Sequence, residues 1–258
     1  MRNCIFLICC LMFCGCASMG VYNPATGKNE FIYISTPAEI SMGKDIHNSL
    51  LQKYEISQDK KYTQRLDRVG EPLALISDRQ DVVYQFYAIK ENGLNAFTVP
   101  GCSVYVYTGL MDKLENDDEL AAVLAHEIGH CAARHSVKKF QAALGYDLIG
   151  RIVLSQIDGG AQQVAALSSN AIMSIVFSSY SRKDEYEADR LAVKYTYLSG
   201  YDPNAIIDTF KILQEGEKEG VRTPMIVRSH PYLEDRIKAV KTEIPAVKKK
   251  YDESLVAR

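Results

Sequence analysis

Residues 126–130 read His126-Glu127-Ile128-Gly129-His130 within a run of helical patterning. Histidines four apart on a helix differ by about 40° around its axis, so both imidazoles leave one face a turn apart. One divalent metal is within reach of both. Glu127 stands about 100° away, close enough to serve a water at such a metal without ligating it. Two satisfied core histidines are the plainer explanation, and the glutamate between them argues against it. The pattern commits this stretch to a helix and sends the search to a third ligand.

The helix has a recognisable start. Asn116 can cap it, and Asp117, Asp118 and Glu119 fill a first turn where carboxylates complement the positive end of the dipole. Glu119, three residues after Asn116, makes a loose capping box. Leu120, Val123, Leu124, Ile128 and Ala132 supply an apolar stripe that His126 and His130 adjoin. One peptidase pattern places a third histidine ten residues after the first with a glycine between, but here those positions are Ser136 and Ala133. His135 lies five residues past His130, about 140° around a continuing helix, and is expected to face away in a structural or surface role.

A second stretch offers a ligand: Ser181-Arg182-Lys183-Asp184-Glu185-Tyr186-Glu187-Ala188-Asp189-Arg190 opens a helix running toward Tyr197 and stopped by Ser199-Gly200. Ala188, Leu191, Ala192 and Tyr195 form its inward stripe, which Glu185 and Asp189 extend. Glu187 falls with Lys183, Arg190 and Lys194 on the wet side, as an ordinary surface carboxylate. Glu185 is therefore the expected third ligand. Asp189, one turn further along that face, is placed to accept a hydrogen bond from a ligand histidine and fix its tautomer.

These motifs in this order resemble a known family. His126-Glu127-Ile128-Gly129-His130 followed by Arg134-His135-Ser136, then Ser181-Arg182 and Glu185-x-x-Ala188-Asp189, is similar to the zinc metalloendopeptidases that include the CAAX prenyl protease and the heat-shock membrane protease. More closely, it resembles their small periplasmic lipoprotein members. Asn95-Ala96-Phe97 with Thr108-Gly109-Leu110 matches the strand segment before the metal helix, and His230-Pro231 with Arg236 matches a late His-Pro segment. The similarity runs from about Asn23 to about Val240. It implies a zincin-like fold, one zinc ion on His126, His130 and Glu185, and Glu127 as general base and acid. It puts His230 near the open coordination position, where it would stabilise an oxyanion or occupy the fourth site and hold the enzyme latent. Packing beside Pro231 is the bland alternative.

Asn95–Val99 and Ser103–Tyr107 are short strand-like runs around Pro100-Gly101, which suits a type II turn. An edge strand beside the metal would bind extended peptide through Asn95, Ala96 and Phe97 by strand addition, a mode that selects unfolded chain over sequence. A plain core hairpin is the alternative.

The N-terminus decides the compartment. Arg2 gives a positive start, Ile5–Phe13 an apolar core too short to span a bilayer, and Phe13-Cys14-Gly15-Cys16 resembles a bacterial lipobox with Cys16 lipidated. An ordinary secretory signal cut nearby is the competing reading. Ala17, rather than Asp, by resemblance favours outer-membrane retention. The integral-membrane relatives carry several spanning helices, whereas the nearest candidate here, Ala161–Tyr180, is interrupted by Gln162, Gln163, Ser168, Ser169 and Asn170. Five of the seven cysteines lie at or before Cys16, leaving Cys102 and Cys131, expected as buried free thiols.

A signal over 1–15, a tether and surface arm over 16–36 and one peptidase domain over 37–258 account for all 258 residues. Pro37–Leu75 looks helical, Val82–Ile89 alternates as a strand, and Asp158-Gly159-Gly160 breaks the stretch between the two ligand-bearing helices. The low-charge segment Phe140–Phe177 reads first as core, with a mobile lid over the cleft or a surface facing the membrane or a client as alternatives. Helices around a small sheet give an α+β fold, predominantly helical. A net charge of −2 gives no case for nucleic acid. Two functions compete: a metalloendopeptidase acting on unfolded or misassembled envelope proteins from a membrane anchor, and a non-proteolytic chaperone or assembly factor for outer-membrane proteins using the same cleft.

Overall fold

The computed structural model describes residues 20–145, 168–218 and 225–256. Cys16, the apolar leader, the Asp158–Gly160 break and the first seven residues of the interrupted candidate span lie outside them. A short antiparallel hairpin, β1 (Val21–Asn23) and β2 (Lys28–Glu30), comes first. It is docked on the body: Asn23 and Ala25 are buried, the Ala25 carbonyl accepts from Arg190 at 2.9 Å, and Lys138 pairs with Glu30 at 2.7 Å.

Two helices follow, α1 (Thr36–Leu51) and α2 (Lys60–Ile76), in place of the continuous helical stretch expected from 37 to 75. Ser35 caps the first, with Pro37 in its opening turn, and Asp59 caps the second through Lys61 N at 2.8 Å. Between them the chain leaves helical geometry to touch the sheet, where Ile56 bridges Ile89 and Ser57 N donates to the Ala88 carbonyl at 2.8 Å. Periodicity within each helix is silent about such a detour.

The sheet has strand order β3-β5-β4: β3 (Gln85–Ile89) runs parallel to β5 (Ser103–Tyr107), and β4 (Ala96–Thr98) antiparallel to it. The first strand begins three residues later than its alternation suggested. The Pro-Gly turn has the expected form, with Cys102 N donating to the Val99 carbonyl at 3.1 Å and Gly101 at φ +81°. Side chains alternate between two cores, as the pleat requires. Ala88, Ala96, Val104 and Val106 face one core; Ile89, Phe97, Tyr105 and Tyr107 face the other.

Into the first core pack α2, α3 (Thr108–Lys113), α4 (Asp117–Ala132), α7 (Arg182–Leu198), α8 (Ala205–Lys218), α9 (Met225–Ser229) and α10 (Leu233–Val256). The second receives α1, α5 (His135–Leu144) and α6 (Ser169–Val176), so the described ends of the low-charge segment are core. This is an α+β fold dominated by helices, with helices on both faces of a small mixed sheet. Among the described residues no helix is long and apolar enough to cross a membrane.

Cys102 and Cys131 are not free thiols. A disulfide joins the β4–β5 turn to the last turn of α4, with Cα atoms 5.5 Å apart. Cys131 directly follows His130, but successive helical side chains diverge by about 100°, so it points to the turn and not into the histidine cluster.

Candidate metal centre

The metal helix is built to be surrounded. Asn116 caps α4, accepting from Glu119 N at 2.9 Å, while Glu119 Oε2 accepts from Glu115 N at 2.7 Å. From Glu119 to Ala132 every residue of α4 is buried, a central helix and not the one-sided stripe its periodicity suggested. Ala121, Ala122, Ala125, Gly129 and Ala132 keep it thin enough for neighbours on all sides. Gly129 matters most: a Cβ there would lie 2.9 Å from the Ala188 carbonyl oxygen, so α7 crosses at a distance only glycine allows. A reciprocal capping box between Ser181 and Asp184 fixes the start of α7, which puts Glu185 in its first turn beside the crossing.

At the crossing, His126 Nε2 and His130 Nε2 lie 3.0 Å apart. Glu185 reaches both, with Oε1 3.4 Å from His130 Nε2 and Oε2 3.6 Å from His126 Nε2. His230, on the turn after α9, enters the same space: its Nδ1 is 3.0 Å from Glu185 Oε1 and 3.2 Å from His126 Nε2. One ligand atom from each of these four residues lies within 4.8 Å of every other. Three imidazoles and a carboxylate converging at these distances form a nitrogen-rich donor set that a divalent transition metal suits. Glu127 adjoins the cluster; its Oε1 is 3.5 Å from His230 Nε2, and its buried Oε2 has no hydrogen-bond partner. A buried carboxylate oxygen without a protein partner, beside such a donor set, stands where a general base would.

Asp189 Oδ1 accepts from His126 Nδ1 at 2.9 Å. Behind it sits Arg236, near the start of α10 and fully buried. It grips Asp189 with Nε and Nη2 at 2.7 Å each, approaches Glu185 Oε2 with Nη1 at 2.5 Å, and donates to the His230 carbonyl at 3.2 Å. Its guanidinium lies over the Phe210 ring at 4.6 Å. Burial alone would raise the carboxyls of Asp189 and Glu185, but the Arg236 charge overrides it and holds Asp189 below, and Glu185 well below, the usual carboxylate range. Burial would likewise weaken the Arg236 cation, and Asp189 and Glu185 instead hold its pKa up. Arg236 has a place in a sequence motif but no role legible there, because a contact made from 47 residues away leaves no local periodicity.

Two further expectations are corrected. His135 does not face away: its Nδ1 lies 3.0 Å from His130 Nδ1, and it is buried. The helical count failed because α4 does not continue. Arg134 adopts the left-handed conformation, φ 55° and ψ 30°, and a new helix starts at His135. Glu187 is no free surface carboxylate either. It accepts from His135 Nε2 at 3.3 Å and from Lys28 Nζ at 3.2 Å, with its side chain 9% exposed. Burial would raise its carboxyl, but those hydrogen bonds bring it down to about 2. Tyr180, also unassigned by the sequence reading, stacks on the His130 ring at 3.9 Å and 22°.

The expected substrate segment lies on and just before β4, which pairs only with β5 among the described residues. Asn95, Ala96 and Phe97 are buried, and Phe97 packs on Tyr105 and edge-on against Phe177, both at 5.0 Å. The Leu94 carbonyl accepts from Ile226 N at 3.4 Å, and the Ile226 carbonyl from His230 N at 2.7 Å, so short steps join strand to centre. Beside His126, Glu127 and His230 a cavity of about 30 Å³ is walled by Val123, Ile206, Phe210 and Leu213.

Comparison with known proteins finds a match to the profile described as Peptidase family M48 over residues 60–244. The mitochondrial metalloendopeptidase OMA1 of Schizosaccharomyces pombe is 26% identical over 236 residues, which cover 90% of this chain and 69% of that protein. The β-barrel assembly-enhancing protease of Escherichia coli is 26% identical over 220 residues, 83% of this chain and 45% of that one. The metalloprotease YcaL of Escherichia coli is 29% identical over 193 residues, 74% of each. The matched region thus spans less than half of the β-barrel assembly-enhancing protease.

Proposed function

This chain belongs to peptidase family M48, a zinc metalloendopeptidase by class, and on that premise we propose that it cleaves unfolded or unassembled proteins of a bacterial envelope. The observation that carries the reading is the convergence of His126, His130 and Glu185 beside a bare Glu127 oxygen. The first three would hold zinc. Zinc so held supplies a Lewis acid that makes water nucleophilic near neutral pH and polarises the peptide carbonyl. Glu127 then takes the proton of the attacking water and delivers it to the leaving amine. His230, with Nδ1 among the three, would hold the fourth position and keep the resting site closed. Asp189 holds His126 with its Nδ1 protonated and Nε2 bare.

The backbone edge of β4, at Asn95, Ala96 and Phe97, is buried in this closed form and, once uncovered, would take an extended segment of substrate by strand addition, which favours chains that have lost their own pairing. Envelope location is supported by the lipobox-like sequence ending at Cys16 and by the Cys102–Cys131 disulfide, a bond that persists in oxidising compartments. The relative named for enhancing β-barrel assembly suggests outer-membrane proteins as clients.

Metal analysis paired with degradation of a loosely folded protein tests this. Wild type and Glu127→Gln are expected to carry one zinc each, with cleavage at least ~100-fold slower in the variant. His230→Ala is expected to cleave faster. Zinc-loaded wild type that leaves such substrates intact contradicts the proposal. A Glu127→Gln variant that fully preserves envelope integrity in cells favours the chaperone instead.

A further inference from the structure

Each imidazole that binds a metal through Nε2 must carry its proton on Nδ1, and something must hold it there. For His130 the partner is another imidazole. His130 Nδ1 faces His135 Nδ1 at 3.0 Å, and the stacked Tyr180 ring fixes the plane without deciding the tautomer. The far nitrogen of His135 decides it. His135 Nε2 faces carboxylates, Glu187 Oε2 at 3.3 Å and Asp184 Oδ1 at 3.5 Å. Ionised carboxylates only accept, so Nε2 of His135 bears the hydrogen. In neutral imidazole the other nitrogen is then bare. His135 Nδ1 must accept, His130 Nδ1 must donate, and His130 Nε2 is left with its lone pair aimed at His126 and Glu185.

We infer that His135 is a positioning residue, which with Glu187 sets the tautomer of His130 and thereby the metal affinity of the site. The inference rests on the zinc reading above. The left-handed turn at Arg134 is what swings His135 back to make the contact. Lys28, from the β1–β2 hairpin, occupies the second oxygen of Glu187 and closes the outer end of the relay. From the centre outward each group donates to the next, His130 to His135 and His135 to Glu187, and the run ends on a carboxylate that also accepts from Lys28.

Zinc affinity, measured on the full chain by competition with a chromophoric chelator, reads this directly. Wild type is expected to bind one zinc. His135→Leu removes the acceptor and is expected to bind ~10–100-fold more weakly. His135→Gln is expected to recover most of that loss, since its amide can accept at one end and donate at the other. Glu187→Lys places a donor where an acceptor belongs, reverses the relay, and is expected to weaken zinc by ~10-fold or more. The cobalt-substituted visible spectrum should shift in His135→Leu and return in His135→Gln. Wild-type affinity in His135→Leu overturns the inference, and so does a Gln variant as weak as the Leu variant. If His135→Leu fails to fold by circular dichroism, Glu187→Lys, nearer the surface, decides: unchanged affinity overturns the inference. Absence of zinc from wild type overturns the metal reading itself, a different result from either.

Discussion

His126 and His130 leave the same helix one turn apart, yet their outer nitrogens meet opposite surroundings. Behind His126 lies a closed, charge-balanced interior, where Asp189 is held by both arms of the fully buried Arg236, whose remaining nitrogen reaches Glu185. Behind His130 the contacts run outward through His135 and Glu187 to Lys28, whose side chain is 55% exposed. The inward support is buried and electrostatically expensive to disturb; the outward one ends in solvent on the N-terminal hairpin. One candidate metal site is thus tied both to the centre of the fold and to the N-terminal hairpin.

The largest effect should come from breaking the inward support. Arg236→Leu strands the carboxylates of Asp189 and Glu185 in the core, and removing one partner of a buried pair costs ~3–5 kcal/mol. Urea unfolding of the metal-free protein measures it, and a loss below ~1 kcal/mol would show that the two carboxylates do not depend on this cation. Gly129→Ala acts on both supports together, since Asp189 and Glu187 both ride on α7 and the new methyl meets the Ala188 carbonyl. Overpacking of this kind costs ~1–3 kcal/mol, and zinc affinity should fall with stability. Stability lost without any change in zinc affinity would mean that the helix crossing does not set the ligand geometry. Lys28→Ala trims only the outer end of the outward support. An exposed ion pair contributes ~0–1 kcal/mol, so stability should stay within about 0.5 kcal/mol of wild type and weaken little further in salt. A larger loss would make the hairpin part of the core support.

The convergence of His126, His130 and Glu185 was legible because histidines four apart share a helix face, and an apolar stripe singles out Glu185 over Glu187. The Pro100-Gly101 turn was legible because proline and glycine fix the angles it needs. His135 and Glu187 were misread for one shared reason. A single left-handed residue, Arg134, ended the helix on which the angular count was running, and no pattern in the chain announces that. Arg236 and the Cys102–Cys131 bond depend on which distant elements meet, information that periodicity does not hold. Gly129 was read only as a place inside the motif; its purpose becomes visible once α7 lies across it.

The most direct test locates the ion. Diffraction from zinc-loaded crystals at the zinc absorption edge should give one anomalous peak, ~2.0–2.2 Å from Nε2 of His126, Nε2 of His130 and a carboxylate oxygen of Glu185. A peak that leaves Glu185 outside bonding distance, or that sits elsewhere in the molecule, contradicts the site on which the account is built.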